Sequence, residues 1–154
     1  MQISGQMKTI CPPDFLLNVL RDPNAMRQLL PAGSRLDQSD DGTYPFTMTK
    51  SVGPIRLTLP GTLTLTPQAE GFNHLMTVRA SHMIAGKVSL DLHIDITQAE
   101  GQTRITYQGE LDATGLAGRI LNEHRARANG VLKASMIRLK MHAERQFAKS
   151  GATA

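Results

Sequence analysis

Aromatic residues and cysteine are scarce in this chain of 154 residues. It contains four Phe, two Tyr, no Trp and a single cysteine, Cys11. A lone cysteine cannot form an intramolecular disulfide, and nothing else in the sequence suggests a cysteine-based metal site. The first segment, MQISGQMKTI, has neither a positively charged start nor an apolar core, so it does not resemble a signal peptide. We therefore expect a cytoplasmic protein.

Long hydrophobic runs and familiar catalytic motifs are also missing. Apolar residues make up 40% of the chain, too many for disorder, while charged residues (19%) interrupt them too often for a membrane span. The sequence has no GxGxxG, no phosphate-binding loop, no HExxH and no paired CxxC. Asp91, His93 and Asp95 have metal-ligand side chains, but the solvated face of a strand explains them better. We expect no metal and no cofactor, and a binding role is favoured over an enzyme.

Much of the chain alternates between apolar and polar residues, as antiparallel strands with one buried face do. The clearest case is GKVSLDLHIDIT at 86–97, and the same period appears at 72–80, at 103–113 and around Tyr44. In IRLTLPGTLTL at 55–65 the apolar parity continues across Pro60-Gly61, which predicts one long bent strand rather than a hairpin. Glycines at inward positions of several strands indicate a strongly curved sheet.

Helical patterns occupy two regions of the chain. Prolines mark the starts of two short helices, at about 12–20 and 23–30, and Pro31 to Gly33 ends the second. The segment 116–149 has apolar residues at helical spacing and predicts one long helix, which either frays at its end or bends near Gly130. The centre of its apolar face is small, at Ala117, Ala128 and Ser135. With so few aromatic residues to fill the space, we expect an apolar cavity between this helix and the sheet.

Positive charge is concentrated in the predicted C-terminal helix. The whole chain has a net charge of +4, whereas the part from Leu116 onward has eight Lys and Arg against two Glu, a net +6. A solvated outer face is the simpler interpretation, and weak contact with an anionic membrane or a partner enzyme is the functional one. We do not expect nucleic-acid binding, because Phe147 is the only aromatic residue of this segment available for base stacking.

Three segments carry a resemblance to a known family. They are LRDPNAMRQLLPAG at 20–33, VGPIRLTLPGTLTL at 52–65 and TYQGELDATGLAGRIL at 106–121. On these segments the chain resembles the SRPBCC, or START-like, superfamily, and within it the G-subunit family of carbon monoxide dehydrogenase. The resemblance implies an α+β helix-grip fold, in which a curved antiparallel sheet of about six or seven strands wraps around a long C-terminal helix and two short helices lie between strands 1 and 2. We expect residues 1–149 to form this single domain and residues 150–154 a disordered tail.

The resemblance also implies a function. Relatives of this kind hold lipid-like, quinone-like or polycyclic molecules between helix and sheet, and G-subunit relatives are associated with molybdenum hydroxylases of the carbon monoxide dehydrogenase type. We therefore expect binding or transport of a hydrophobic small molecule, with an accessory role to such an enzyme, by a cytoplasmic protein with peripheral contact at the inner membrane face. The alternatives are a polyketide cyclase-like or aromatase-like enzyme and an accessory protein that only docks.

The candidate ligand site combines apolar residues with a few polar ones, as pockets for apolar ligands do. His74, Tyr107 and His124 are the polar candidates, which would orient a carbonyl or hydroxyl of the ligand, or act as acid or base in the enzyme alternative. The residues expected to line the pocket are Tyr44, Leu57, Leu63, His74, Met76, Leu92, Tyr107, Leu121, His124 and Leu132.

Overall fold

The computed structural model describes residues 1–30, 34–37, 42–52, 54–67 and 73–150, with six strand residues, Leu57 among them, described by their backbone only. The elements in chain order are β1 (Gln2–Thr9), α1 (Pro13–Leu20), α2 (Pro23–Met26), a 3₁₀ turn (Arg27–Leu29), β2 (Arg35–Leu36), β3 (Thr43–Val52), β4 (Ile55–Pro67), β5 (Asn73–His82), β6 (Gly86–Ala99), β7 (Gln102–Ala113), α3 (Gly115–Glu123) and α4 (Arg125–Lys149).

The seven strands form one antiparallel sheet in the order β1-β7-β6-β5-β4-β3-β2. This arrangement, with short helices after β1 and the long helical segment at the C-terminus, confirms the predicted α+β helix-grip fold. The predicted strands at 72–80, 86–97 and 103–113 are present, although Phe72 lies outside the described residues. The two-residue strand β2 is an addition that sequence alternation did not predict.

β4 runs without interruption through Pro60 and Gly61, as its apolar parity predicted. Gly61 lies opposite Phe46 on one side and Ala80 on the other. A Cβ atom at this position would overlap the backbone oxygen of Arg79 and the ring of Phe46. The strand therefore continues past Pro60 because glycine leaves room for the neighbouring strand and for the Phe46 side chain.

The two short helices and the 3₁₀ turn form an elbow at residues 13–29 that packs into the core. Pro13 is the first residue of α1, and the side chain of Asp22 accepts a hydrogen bond from the backbone N–H of Asn24 (3.0 Å) at the start of α2. The elbow's own side chains Leu16, Leu20 and Met26 are buried in the core. The predicted end of this region at Pro31 to Gly33 lies outside the described residues.

The C-terminal helical segment is broken at His124, whereas the sequence predicted one helix that bends near Gly130 or frays at its end. His124 has φ −126° and ψ 34°, which ends α3 and starts α4. The two helices pack on different surfaces: the backbone N–H of Ala117 donates to the carbonyl of Ala85 (2.7 Å) beyond β5, whereas α4 packs on β1 and the elbow. The break at His124 lets each helix pack on its own surface. A Cβ atom at Gly130 would meet open space, and α4 continues through this residue without a break.

The C-terminal half of α4 is tied to the end of β1. The hydroxyl of Thr9 donates to Glu144 Oε2 (3.0 Å), and the hydroxyl of Thr103 donates to the backbone oxygen of Cys11 (2.6 Å). Met136, Leu139 and Ala143 are buried on this half.

No helix in the described part of the chain has both the length and the apolar character needed to cross a bilayer. Of the predicted tail at 150–154, residues 151–154 are not described.

Candidate functional site

Most of the predicted lining residues share the inner face of the sheet, which is the face that packs against the helices. Tyr44 pairs with Leu63, and Met76 pairs with Leu92. His74 and Tyr107 lie on either side of Ile94 in one cross-strand row, so their backbones are about 10 Å apart. Those that are almost fully buried here are Tyr44, Leu63, His74, Met76, Leu92 and Tyr107.

The remaining predicted residues are placed differently. Leu121 on α3 and Leu132 on α4 are half-buried, and Leu132 packs against the core. His124 is exposed because the helical segment breaks there, so the structure does not bring it to His74 and Tyr107. The side chain of Leu57 lies outside the described part of the structure. The candidate site is therefore built chiefly from the sheet and from the half-buried side of the helices.

The hydroxyl of Tyr44 already has a protein partner. It donates a hydrogen bond to the backbone oxygen of Arg21 (3.2 Å), which follows α1. Burial raises the pKa of this phenol, and the nearby positive charge of Arg21 opposes that shift. Tyr44 thus holds β3 against the elbow, and its ring forms part of the apolar wall.

Tyr107 is the polar group of the inner face whose hydroxyl is not engaged by the described residues. Its phenol lies directly on Gly5 of β1, where a Cβ atom would overlap the hydroxyl and the ring. The described residues form no hydrogen bond with this hydroxyl. Burial raises the pKa of the Tyr107 phenol, so it remains protonated at neutral pH and can donate to a ligand.

Towards the middle of the sheet the inner face is only half covered. Val78 and Leu90 are paired across β5 and β6, and both are half-buried, as is Val88. The same row is almost fully buried at Leu63 and Tyr44, under the elbow. Sequence alternation placed Val78 and Leu90 on the apolar face. Strand periodicity does not indicate which part of that face the helices leave uncovered. These residues are the ones that sequence reasoning missed.

A separate groove of about 690 Å³ lies mainly on the outer face of the sheet. Its lining includes the cross-strand row Thr62, Arg79, Ser89 and Asp112. The guanidinium of Arg79 is ion-paired with Asp91 (2.7 Å). None of the predicted ligand-site residues lines this groove. Among the described residues, no cluster of three or more His, Cys, Asp or Glu side chains could hold a metal ion.

An antiparallel sheet whose apolar face packs on C-terminal helices, with two short helices after β1, defines the helix-grip class of START-like domains. Solved structures agree with this class. A conserved protein from Geobacillus kaustophilus superposes with a TM-score of 0.76 at 16% identity, covering 97% of both chains. A STAR-related lipid transfer protein fragment from Xanthomonas axonopodis gives 0.59 at 19% identity, covering 91% of this chain and 84% of its own. A Thermus thermophilus protein gives 0.65 at 7% identity, covering 93% and 97%.

The family is shown by sequence. The model of the carbon monoxide dehydrogenase G-subunit family (CoxG) matches residues 5–124, from β1 to just past the end of α3. The chain therefore belongs to the CoxG family, as the three segments quoted above indicated. No curated protein sequence matches it significantly.

Proposed function

We propose that this protein binds or transports an apolar small molecule, lipid-like or quinone-like, between the inner face of the sheet and the C-terminal helices. The supporting observation is the half-buried pair Val78 and Leu90, which adjoins the fully buried core in the same cross-strand row. Apolar side chains that stay partly exposed on the inner face of a sheet favour a guest that covers them, because covering removes apolar area from water.

The chemistry of the surrounding residues fits such a guest. Leu63, Met76 and Leu92 supply an aliphatic floor, and methionine adapts to ligands of different shape. The Tyr107 hydroxyl is the described donor best suited to a carbonyl or hydroxyl of the ligand, with His74 in the same row. One polar contact within an apolar lining is the usual composition of a site that orients an apolar molecule.

The comparisons support the same proposal. One structural neighbour is described as a STAR-related lipid transfer protein, and we extend lipid-type ligands to this chain as part of the proposal. Membership of the CoxG family adds quinone-like molecules to the classes worth testing.

The experiment is a titration of the purified protein with a ubiquinone analogue and with fatty acids, followed by calorimetry. Leu90→Trp enlarges a half-buried side chain on the inner face, and Ser89→Trp places the same group on the other face of β6. We expect Leu90→Trp to weaken binding about tenfold or more, equivalent to losing one good apolar contact, and Ser89→Trp to bind like the wild type. Equal affinities for both variants would contradict this location.

A second candidate function is docking on a molybdenum hydroxylase. The observation that favours it is the first part of α4, where Arg125, Arg127 and Lys133 are exposed and have no ion-pair partner among the described residues. Charge complementarity of this kind gives salt-sensitive association with an acidic surface. The test is co-purification with the hydroxylase at low salt. Complex that persists unchanged in Arg127→Glu/Lys133→Glu would contradict docking through α4.

A further inference from the structure

The hairpin between β5 and β6 exposes two adjacent apolar side chains. Met83 is fully exposed (102%) and Ile84 is 71% exposed. They occupy the three-residue turn between His82 and Gly86, and Gly86 has φ +93°, the conformation that closes a hairpin of this length. Single exposed apolar residues are common, but a neighbouring pair at the tip of a hairpin is a candidate contact surface.

The backbone of this tip is prepared for an apolar environment. The N–H groups of Ile84 and Ala85 both donate to His82 Nδ1 (3.1 and 3.3 Å). The carbonyl of Ala85 accepts from the N–H of Ala117 (2.7 Å). These three backbone groups keep their partners when the tip leaves water, which lowers the cost of placing the turn in an apolar medium.

An exposed lysine follows the tip in sequence, and an exposed arginine lies on the helix whose first turn contacts the tip. Lys87 is exposed on β6, three residues after Ile84, and Arg119 is exposed on α3, whose first turn is hydrogen-bonded to the tip through Ala117. Neither has an ion-pair partner among the described residues. An apolar tip with exposed cations on neighbouring elements complements an anionic bilayer, which has negatively charged headgroups at its surface and an apolar interior.

We propose that the tip surface, defined as Met83, Ile84, Lys87 and Arg119, docks on an anionic phospholipid bilayer. Two apolar side chains cover far less area than a stable protein interface of about 1,000 Å² or more requires, whereas insertion of a few apolar groups with adjacent cations suffices for reversible membrane binding. This docking goes beyond ligand binding and does not depend on it. A tip seated on the bilayer brings the α3 end of the helical segment, next to Ala85, close to the lipid.

Tryptophan fluorescence tests the insertion directly. The chain has no Trp, so Met83→Trp introduces a single reporter at the tip. Ile10→Trp is the matched control, because Ile10 is 58% exposed and follows the end of β1 that pairs with Thr103, at the end of the sheet opposite Ala113 and the tip. With vesicles of equal phosphatidylglycerol and phosphatidylcholine, we expect a blue shift and quenching by brominated lipid for Met83→Trp only. Identical responses of the two reporters, or no response of either, would overturn the proposal.

Sedimentation with the same vesicles supplies a second readout that does not add an aromatic residue. We expect Met83→Ser/Ile84→Ser to lower the partition coefficient about tenfold or more and Lys87→Glu to lower it several-fold, with Ile10→Ser unchanged. Binding should also fall in pure phosphatidylcholine and in high salt. Loss of binding in Arg127→Glu/Lys133→Glu together with normal binding of the tip variant would assign the contact to α4 and refute docking through the tip. Circular dichroism and thermal midpoints confirm that each variant is folded, and ligand titration of the tip variant shows separately whether the apolar site is intact.

Discussion

The phenyl rings of Phe15 and Phe147 meet edge to face, with their centroids 5.2 Å apart and their planes at 71°. Phe15 lies on α1 and Phe147 lies near the end of α4, so this pair joins the elbow to the C-terminal helix. Arg138 adds a second tie by donating from Nε to the backbone oxygen of Gln28 (3.2 Å). The elbow is therefore held to α4 at two separate points, and any outward movement of the elbow has to break one or both.

Removal of the aromatic pair should loosen the elbow. We expect Phe147→Ala to lower the free energy of unfolding by about 2 kcal/mol, because the ring is half-buried and loses both apolar contact and the edge-to-face interaction. Chemical denaturation of Phe15→Ala, Phe147→Ala and the double variant should give a coupling free energy of about 0.5 to 1.5 kcal/mol. Strictly additive effects would mean that the two rings do not stabilise each other.

Two glycines should respond to alanine in opposite directions. Gly5→Ala forces the Tyr107 phenol off the backbone of β1, and we expect a loss of about 1 to 3 kcal/mol of unfolding free energy from this overpacking. Gly130→Ala adds a methyl group in open space on α4, where alanine is the better helix former, and we expect a gain of up to about 1 kcal/mol. Urea denaturation measures both.

The Gly5 effect has an internal control. The Tyr107 hydroxyl and the ring carbon that bears it are the atoms nearest to the added methyl group, so Tyr107→Leu, which lacks both atoms, combined with Gly5→Ala should lose less stability than the sum of the two single changes. A double variant that is as unstable as the sum of its single changes would show that the contact between the two residues is not the cause.

Stability should depend on pH through His142. Burial lowers the pKa of His142, and the positive charge of Arg145 lowers it further, while Asp22 opposes the shift. The unfolded chain then binds a proton near its usual pKa of about 6.5 while the folded chain does not, so stability falls as pH drops through that value and levels off below the folded pKa. Denaturation between about pH 7.5 and about pH 5.5 should show a smaller loss for His142→Gln than for the wild type. Parallel curves would assign the pH dependence to other groups.

The single thiol should be protected in the folded protein. Cys11 is fully buried, and desolvation raises its pKa despite a hydrogen bond to Thr9 that lowers it. We expect native alkylation by iodoacetamide to be on the order of a hundredfold slower than alkylation in urea, because it requires local opening. Thr103→Val, which removes the donor to the Cys11 carbonyl, should accelerate the native reaction. Rapid native alkylation of the wild type would contradict this burial.

The sequence could predict most of the sheet because the longer strands have a two-residue period that burial on one face imposes. Leu92 and Ile94 were assigned to the inner face, and both are buried there. The continuous path of β4 through Gly61 followed from the same parity. Features that depend on contacts between distant elements were not predictable in this way. The break at His124 arises because α3 and α4 pack on separate surfaces, and no local propensity at His124 signals it.

For the candidate site, the sequence could likewise predict which face of the sheet a residue lies on, but not its contacts with distant elements. Strand parity assigned Tyr107 and His74 to the inner face, and the register of the sheet places them in one row. Parity placed no limit on where the Tyr44 hydroxyl points, and that hydroxyl donates to the backbone oxygen of Arg21. Helical periodicity likewise assigned His124 to the apolar side of one unbroken helix. The half-buried state of Val78 and Leu90 depends on how far the helices extend over the sheet, which is a property of tertiary packing.

The most direct test of apolar ligand binding is mass spectrometry of an organic extract from protein purified under native conditions. We expect the wild type and Ser89→Trp to carry an apolar molecule in near-stoichiometric amount and Leu90→Trp to carry much less. Wild-type protein that is repeatedly free of such molecules, and that also fails to take up ubiquinone analogues and fatty acids, would contradict apolar ligand binding.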